Sequence, residues 1–546
     1  MNNAIAQPPV ALNEPVRAYA PGSTERASLQ STYAALADEQ PVVTPVIGGR
    51  RVETGRTGTV TSPHEHARVL ANVHKARPED IDRAITGALD ARHDWSRMAW
   101  TDRAAVFLKA AELLAGPFRD RMNAATMWGQ SKNAYQAEID SACELIDFLR
   151  FNVQFMSEIY AGQPISSPGV WNRQEYRALE GFVFAVTPFN FTAIAGNLPS
   201  APALMGNVVL WKPATTQLLS AYVIQELFEA AGLPPGVITL LPGDGADVGD
   251  QVVASEHLAG LHFTGSTGTF NHLWKTIGSD VGHYRTYPRI VGETGGKDFI
   301  VAHESANPAA VATAIVRGSF EYQGQKCSAS SRIYVPQAIW ADVERELMQQ
   351  LSEITVGDPG DFSNFVNAVI DRRSFDNITG YIERAKAAPG VRVAAGGTYS
   401  DETGFFVDPT VLVVDDPMYE SMREEIFGPV ATIYVVPEGT SWDDTLALVD
   451  RTSPYALTGA IFCQDRALLA HAADRLSDAA GNMYFNDKPT GAVVGQQPFG
   501  GARGSGTNDK AGSAVNLLRW TSLRTIKETF VPPTHFHYPF LEKGAI

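Results

Sequence analysis

From Gly181 onward the chain alternates two kinds of segment, and this alternation restricts its fold more than any other feature. GFVFAVTPF is a short apolar run stopped by Thr-Pro, and NVVLWKP is another. VITLLPG and LAGLHFTGS follow, each leaving through glycine. Between the second and third runs lies a helix-like stretch, TTQLLSAYVIQELFEAAG, closed by Gly232 and two prolines. Strands alternating with helices in this way predict a doubly wound parallel sheet. A second alternation starts near residue 307. Residues 307–325 read as a helix leading into GQKCSA, SRIYVP as a strand, and the pattern continues to about Phe499. Two α/β lobes are therefore expected. Upstream, from Pro78 to about Tyr160, the periodicity is helical: Ile81, Ala84, Ile85 and Ala88 share one face, and Ala105, Phe107, Ala110, Leu113 and Leu114 mark another. Residues 1–40, rich in Pro, Ser and small residues, read as an arm lying on the surface. YPFLEKGAI, at the other end, reads as a tail that packs on a neighbour.

Composition narrows the function classes. At 546 residues and 44% hydrophobic content, the chain can bury large cores and is not a disordered polymer. Its net charge of −16 argues against nucleic-acid binding, which relies on clustered Lys and Arg. Three cysteines cannot build a disulfide framework, which points to a reducing compartment. No apolar stretch reaches the roughly 18 residues of a membrane span. The first 30 residues lack a basic segment followed by an apolar run, and their two Arg and two Glu fit a transit peptide poorly. A cytoplasmic protein is the expectation.

The most informative single residue is Cys327, in Tyr322-Gln323-Gly324-Gln325-Lys326-Cys327-Ser328. A lone cysteine is usually a small buried hydrophobe, the reading that suits Cys143 on its apolar helix and Cys463 in GAIFCQ. Cys327 differs by its polar, glycine-containing loop between a helix and a strand. Lys326 beside it would favour the reactive thiolate if the ammonium approaches the sulfur. A second polar motif precedes it, Gly292-Glu293-Thr294-Gly295-Gly296-Lys297. Gly243-Asp244-Gly245-Ala246-Asp247-Val248-Gly249 imitates a dinucleotide fingerprint, yet has one residue too many between its last glycines. It reads as an ordinary strand-to-helix turn.

ETGGK, GQKCSAS, EEIFGPV and FTGST together resemble the aldehyde dehydrogenase superfamily. More narrowly, TPFNFTAI, GQKCSASSRIYVP and NDKPTGAVVGQQPFGGARGSGTNDKAG are similar to the Δ1-pyrroline-5-carboxylate dehydrogenase family, from about residue 40 to the C-terminus. The resemblance implies an aldehyde dehydrogenase-like fold of two doubly wound α/β domains plus a small β oligomerisation element. The implied boundaries are an arm over 1–40, an NAD-binding domain from 41–165 and 185–293, a catalytic domain over 294–515, and an oligomerisation element from 166–184 and 516–546.

It also implies roles. Cys327 would be the nucleophile, Glu293 the general base, and the Asn190 amide with the Cys327 N–H the oxyanion hole. Read alone, Glu293 is a loop carboxylate and Asn190 a turn residue after proline; their joint order with Cys327 carries the reading. NAD is the implied cofactor, with its pyrophosphate at the helix start after Gly265 and Ser266 and its adenosine ribose on Lys212. Glu425 and Phe427 would clamp the nicotinamide ribose. Many NAD-preferring relatives place Glu three residues after the lysine. This chain has Thr215 there, so some tolerance of NADP is expected. The implied substrate is L-glutamate γ-semialdehyde. Its amino-acid end would be held by Ser328 and the main-chain amides of Gly491 and Ala492, and its methylenes by Phe191 and Phe499. Ala492 stands where the family has serine, which removes a hydroxyl and keeps the N–H. The implied partners are a second copy of the chain, as a dimer or an assembly of dimers, and a separate proline dehydrogenase supplying the substrate. No metal, membrane or nucleic acid is expected. The rival readings are a dehydrogenase for another aldehyde and a non-catalytic scaffold of the same fold.

Overall fold

The computed structural model describes residues 5–542; residues 1–4 of the expected arm and 543–546 of the expected tail lie outside the described residues. Five parallel strands form the first large sheet, in the order Arg289–Glu293, Leu258–Thr264, Phe182–Thr187, Val208–Pro213, Ile238–Leu240. Successive side chains of a strand point to opposite faces, and here both faces are buried. Val183, Val209 and Trp211 go into one core with Phe107, Leu149 and Leu227 of three helices. Phe182, Phe184 and Leu210 go into another, with Ile81, Val252 and Phe270. Burial on both faces explains why these strands are continuous apolar runs rather than polar–apolar alternations.

The second sheet has seven strands, in the order Val391–Ala395, Thr410–Val414, Val430–Val436, Ser330–Pro336, Asp298–Ala302, Thr458–Phe462, Asn482–Phe485. Only Val391–Ala395 runs antiparallel to its neighbour. Helices again cover both faces: Pro308–Phe320 and Gln337–Ser352 on one side, Trp442–Thr452 and Arg466–Arg475 on the other. Two lobes are thus present, joined by Thr294–Lys297 between the last strand of the first sheet and the interior strand Asp298–Ala302 of the second.

Three segments differ in detail from expectation. The arm carries a helix, Thr24–Leu36, because Ser23 caps it and Leu29, Tyr33 and Leu36 recur on one buried face. The expected oligomerisation segment 166–184 divides. Val170–Arg177 pairs antiparallel with Ser522–Thr529 in a two-stranded ribbon, whereas the residues from Phe182 enter the first sheet. Ser505 and Gly506, from the far end of the expected catalytic domain, bond back onto the edge of the first sheet at Glu293 and Thr294.

Candidate active site

In the first sheet the chain begins at the central strand Phe182–Thr187, winds outward through Val208–Pro213, then crosses to the other side at Leu258–Thr264. The crevice at the carboxyl ends of Phe182–Thr187 and Leu258–Thr264 is therefore the topological switch point, where open α/β sheets bind ligands. Gly292, Phe263, Val186 and Lys212 lie in register across four strands. One step beyond that row come Glu293, Thr264 with Gly265, Thr187 leading to Asn190, and Pro213. The sheet therefore gathers on one edge most of the residues singled out in its half of the sequence.

The loop that carries Cys327, the expected nucleophile, arrives from the other lobe. Helix Pro308–Phe320 ends in a turn where Tyr322, Gln323 and Gly324 all have positive φ, of 53°, 53° and 64°. Left-handed backbone at two non-glycine residues is costly and persists where the surroundings hold it. Here the Gln323 amide donates to the carbonyls of Ser131 and Ala368, and the Gln325 carbonyl accepts from the Asn190 Nδ2 at 3.0 Å. The last bond sets the Asn190 side chain two residues from Cys327, with one amide hydrogen left over. Gly296 packs on the same loop: a Cβ there would lie 2.1 Å from the Cys327 carbonyl oxygen.

Cys327 is half-buried, whereas Cys143 and Cys463 are buried. Burial pushes its thiol well above the usual range, and the carboxyls of Asp298, Glu293 and Glu425 add to this; its own backbone N–H pulls the other way. The expected help from Lys326 is absent. Its Nζ is instead engaged by buried carboxylates, 3.6 Å from both Asp140 and Glu321. The reason is desolvation: a buried ammonium needs carboxylate partners, and the π-helical segment Glu138–Cys143 presents Asp140. Lys132 joins that cluster, 2.7 Å from Asp140, with its Nζ 4.2 Å from the centre of the Phe191 ring. Phe191 is thus seated on a cation that the sequence reading did not assign a place.

Glu293 is half-buried, and its Oε2 accepts from the Gly501 N–H at 3.2 Å. Burial lifts its carboxyl well above the ordinary range, drawn back by that bond and by Lys510. A raised carboxyl is the state suited to a base working near neutrality.

Around the crevice, the helix Thr267–Ser279 starts directly after Gly265, with Ser266 as its N-cap accepting from the Thr269 N–H. Free N–H groups at such a start favour an anion. Lys212 is buried at the carboxyl edge of the sheet, and among the described residues its ammonium donates only to its neighbour's carbonyl, Pro213 O at 3.1 Å. Burial lowers its pKa to about 8. Glu425 accepts from the N–H groups of Gly296 and Phe427, and burial raises its carboxyl while Lys297 draws it back. Phe427 sits at φ 58°, its ring edge-on to Phe189. An anion-favouring helix start, an under-used lysine and a backbone-fixed carboxylate fit a dinucleotide. The decoy at Gly243–Gly249 does not: from Gly245 it is already the first turn of helix Gly245–Val253, and its Asp244 is paired with Arg56 and Lys75.

Ser328 is buried and its hydroxyl meets that of Thr490 at 2.8 Å, linking the nucleophile loop to the 490s loop. Gly491 is exposed and Ala492 half-buried, and neither N–H makes a hydrogen bond among the described residues. Phe499 is half-buried and pairs through its backbone with Ala511. The sequence reading missed Gly296, Gly500 and Gly501 as contacts of Cys327, Glu425 and Glu293. They act through backbone, and only their place in the glycine pairs of ETGGK and FGGAR hinted at it.

Comparison with known proteins agrees with this geometry. The Aldehyde dehydrogenase family model matches residues 51–526. A Delta-1-pyrroline-5-carboxylate dehydrogenase of Agaricus bisporus is 52% identical over 535 residues, 97% of each chain. The mitochondrial enzyme of that name from Homo sapiens is 48% identical, covering 97% of this chain and 94% of its own. The crystal structure of the Mycobacterium tuberculosis Delta-pyrroline-5-carboxylate dehydrogenase bound with NAD superposes with a TM-score of 0.96 at 55% identity, over 99% of this chain and 100% of that one. The chain belongs to the aldehyde dehydrogenase family and, within it, stands among the Δ1-pyrroline-5-carboxylate dehydrogenases.

Proposed function

We propose that this chain oxidises L-glutamate γ-semialdehyde, formed by ring opening of Δ1-pyrroline-5-carboxylate, to L-glutamate with NAD, the second step of proline degradation. The observation that carries the reading is the 3.0 Å bond from the Asn190 amide to the Gln325 carbonyl, which fixes a donor beside Cys327 at the switch-point crevice. Burial favours the thiol over the thiolate, so a base would take its proton as it adds to the aldehyde carbon; Glu293, whose charge bears on the sulfur, would be that base. The alkoxide then formed would be held by the free Asn190 amide hydrogen and the Cys327 N–H. One such donor typically contributes a factor of roughly 10²–10³ in rate. The start of helix Thr267–Ser279, Lys212, Glu425 and Phe427 would hold NAD, which would supply the hydride acceptor, and Cys327 would keep the carbon as a thioester. Once that first proton has passed to solvent, Glu293 would take another from the water that cleaves the thioester and return it to the departing sulfur, freeing the acid and restoring the thiol.

The substrate's carboxylate would meet the unengaged N–H groups of Gly491 and Ala492, with Ser328 beside them and Phe191 and Phe499 along the methylenes. No helix among the described residues is long and apolar enough to cross a membrane. Three free cysteines support a reducing compartment, and the cytoplasm is the proposed location. A homo-oligomer built on the ribbon Val170–Arg177 and Ser522–Thr529 is proposed too, with a separate proline dehydrogenase as supplier. The deciding experiment is NADH formation by the purified protein with pyrroline-5-carboxylate against a panel of simple aldehydes. The expected result is a clear preference for the former, abolished in Cys327→Ser. Much higher kcat/KM for unsubstituted aliphatic aldehydes would refute the substrate assignment.

A further inference from the structure

The 490s loop has little of its own to hold it. Between residues 489 and 498 its internal hydrogen bonds are Val493 N–H to Gln497 Oε1 and the N–H groups of Gln496 and Gln497 to the Val493 carbonyl. It rests on one face of helix Glu144–Ala161. Gly495, at φ 81°, approaches the Phe151 ring so closely that a Cβ would lie 2.3 Å from it, and Val494 and Phe148 both flank Gly512.

The N-terminal arm crosses this joint. The Asn13 Nδ2 donates to the Val494 carbonyl at 2.8 Å and to Asp147 Oδ2 at 2.8 Å, and its Oδ1 accepts from Gln496 Nε2 at 2.9 Å. Both groups facing Nδ2 are acceptors only, so the amide orientation is unambiguous. One side chain therefore uses two donors and its acceptor to join three elements. The arm beside it is firmly footed. Ala11 N–H reaches Gln154, Glu14 N–H reaches Asp147, and the Glu14 carboxylate bridges Arg119 and Arg150.

We propose that residues 11–14 are a strap across the 490s loop, and that Asn13 is a positioning residue. It sets the main-chain donors of Gly491 and Ala492, and so governs selection of aldehydes that carry a carboxylate at their far end. The inference rests on the proposed substrate-binding role of that loop. Asn13 touches neither Cys327 nor the crevice after Ser266, so its effect belongs in substrate affinity rather than in chemistry or NAD binding.

The test compares wild type with Asn13→Ala and Gln496→Ala, using glutamate semialdehyde and propanal, together with amide hydrogen exchange. Asn13→Ala is expected to raise KM for glutamate semialdehyde roughly five- to tenfold, the scale of one or two lost hydrogen bonds. kcat, the NAD Kd and kcat/KM for propanal should stay near wild type, and exchange should quicken in residues 490–497. Gln496→Ala should move the same readouts in the same direction by less. Unchanged exchange in 490–497, an unchanged KM, or equal losses for both aldehydes would overturn the strap. A wild-type enzyme that does not prefer glutamate semialdehyde to propanal would overturn the substrate assignment instead, and the exchange data keep the two results apart.

Discussion

Cys327 sits where burial and three carboxyls all oppose the negative charge that its chemistry needs. An adjacent lysine looked like the remedy in the sequence, but a four-carbon side chain can turn either way, and buried Asp140 decided the direction. In the proposed mechanism, activation falls to proton removal at the moment of attack, which suits a base whose own affinity for protons has been raised by burial. A pH dependence follows with a definite sign. Burial and neighbouring negative charge raise a thiol's pKa, so alkylation of Cys327 by iodoacetamide should be slow at neutral pH and still climb above the ordinary thiol range of about 8.5. Removing one carboxyl with Glu293→Gln should move that profile toward lower pH. A rate already level by about pH 8.5 in the free wild-type enzyme would contradict the picture. The proposed roles of Cys327, Glu293 and Asn190 come from motif order; the protonation of Cys327 and Glu293 cannot be read there, because it depends on what surrounds them in space.

At the scale of elements, the two helix–strand alternations were legible because period and punctuation are local properties. The runs from GFVFAVTPF to LAGLHFTGS became strands, and TTQLLSAYVIQELFEAAG became a short 3₁₀ turn and helix Leu218–Ala231. The helix Thr24–Leu36 went unseen because proline and serine around it dominate the composition, while its buried stripe is only three residues wide. The linker Thr294–Lys297 shows how an element acts through what it lacks. Gly296 leaves room for the Cys327 carbonyl, and a methyl there would also lie 2.5 Å from Asp298 Oδ2. Gly296→Ala should therefore displace the nucleophile loop, at a cost of about 1–3 kcal/mol from overpacking and more than about 10² in kcat. Thermal unfolding and steady-state kinetics check both; near-wild-type kcat would show that the loop can give way.

For the whole molecule, the conspicuous feature is exposed apolar surface on the ribbon and the segment that follows it. The ribbon Val170–Arg177 with Ser522–Thr529 exposes Trp171 and Leu523, and the segment after it exposes Phe530, Phe536, Tyr538 and Phe540. A two-stranded ribbon is marginal by itself, and contiguous exposed aromatics mark an interaction surface. Self-association through this surface should give a sedimentation mass of at least twice the chain mass, and truncation after Thr529 should weaken it. A monomer at micromolar concentration would exclude the ribbon as an assembly surface.

What the sequence determined by itself is the set of elements and the inventory of reactive groups, since strand and helix periods, caps and glycine-permitted turns are written within a few residues of one another. Tertiary structure decided which groups meet. The Gly501 N–H reaches Glu293, the Gly296 N–H reaches Glu425, and Asn13 closes on a carbonyl 481 positions away. Those contacts run through backbone groups that nearly every residue carries, so no residue type announces them; only the packing of two lobes and an arm brings them within reach.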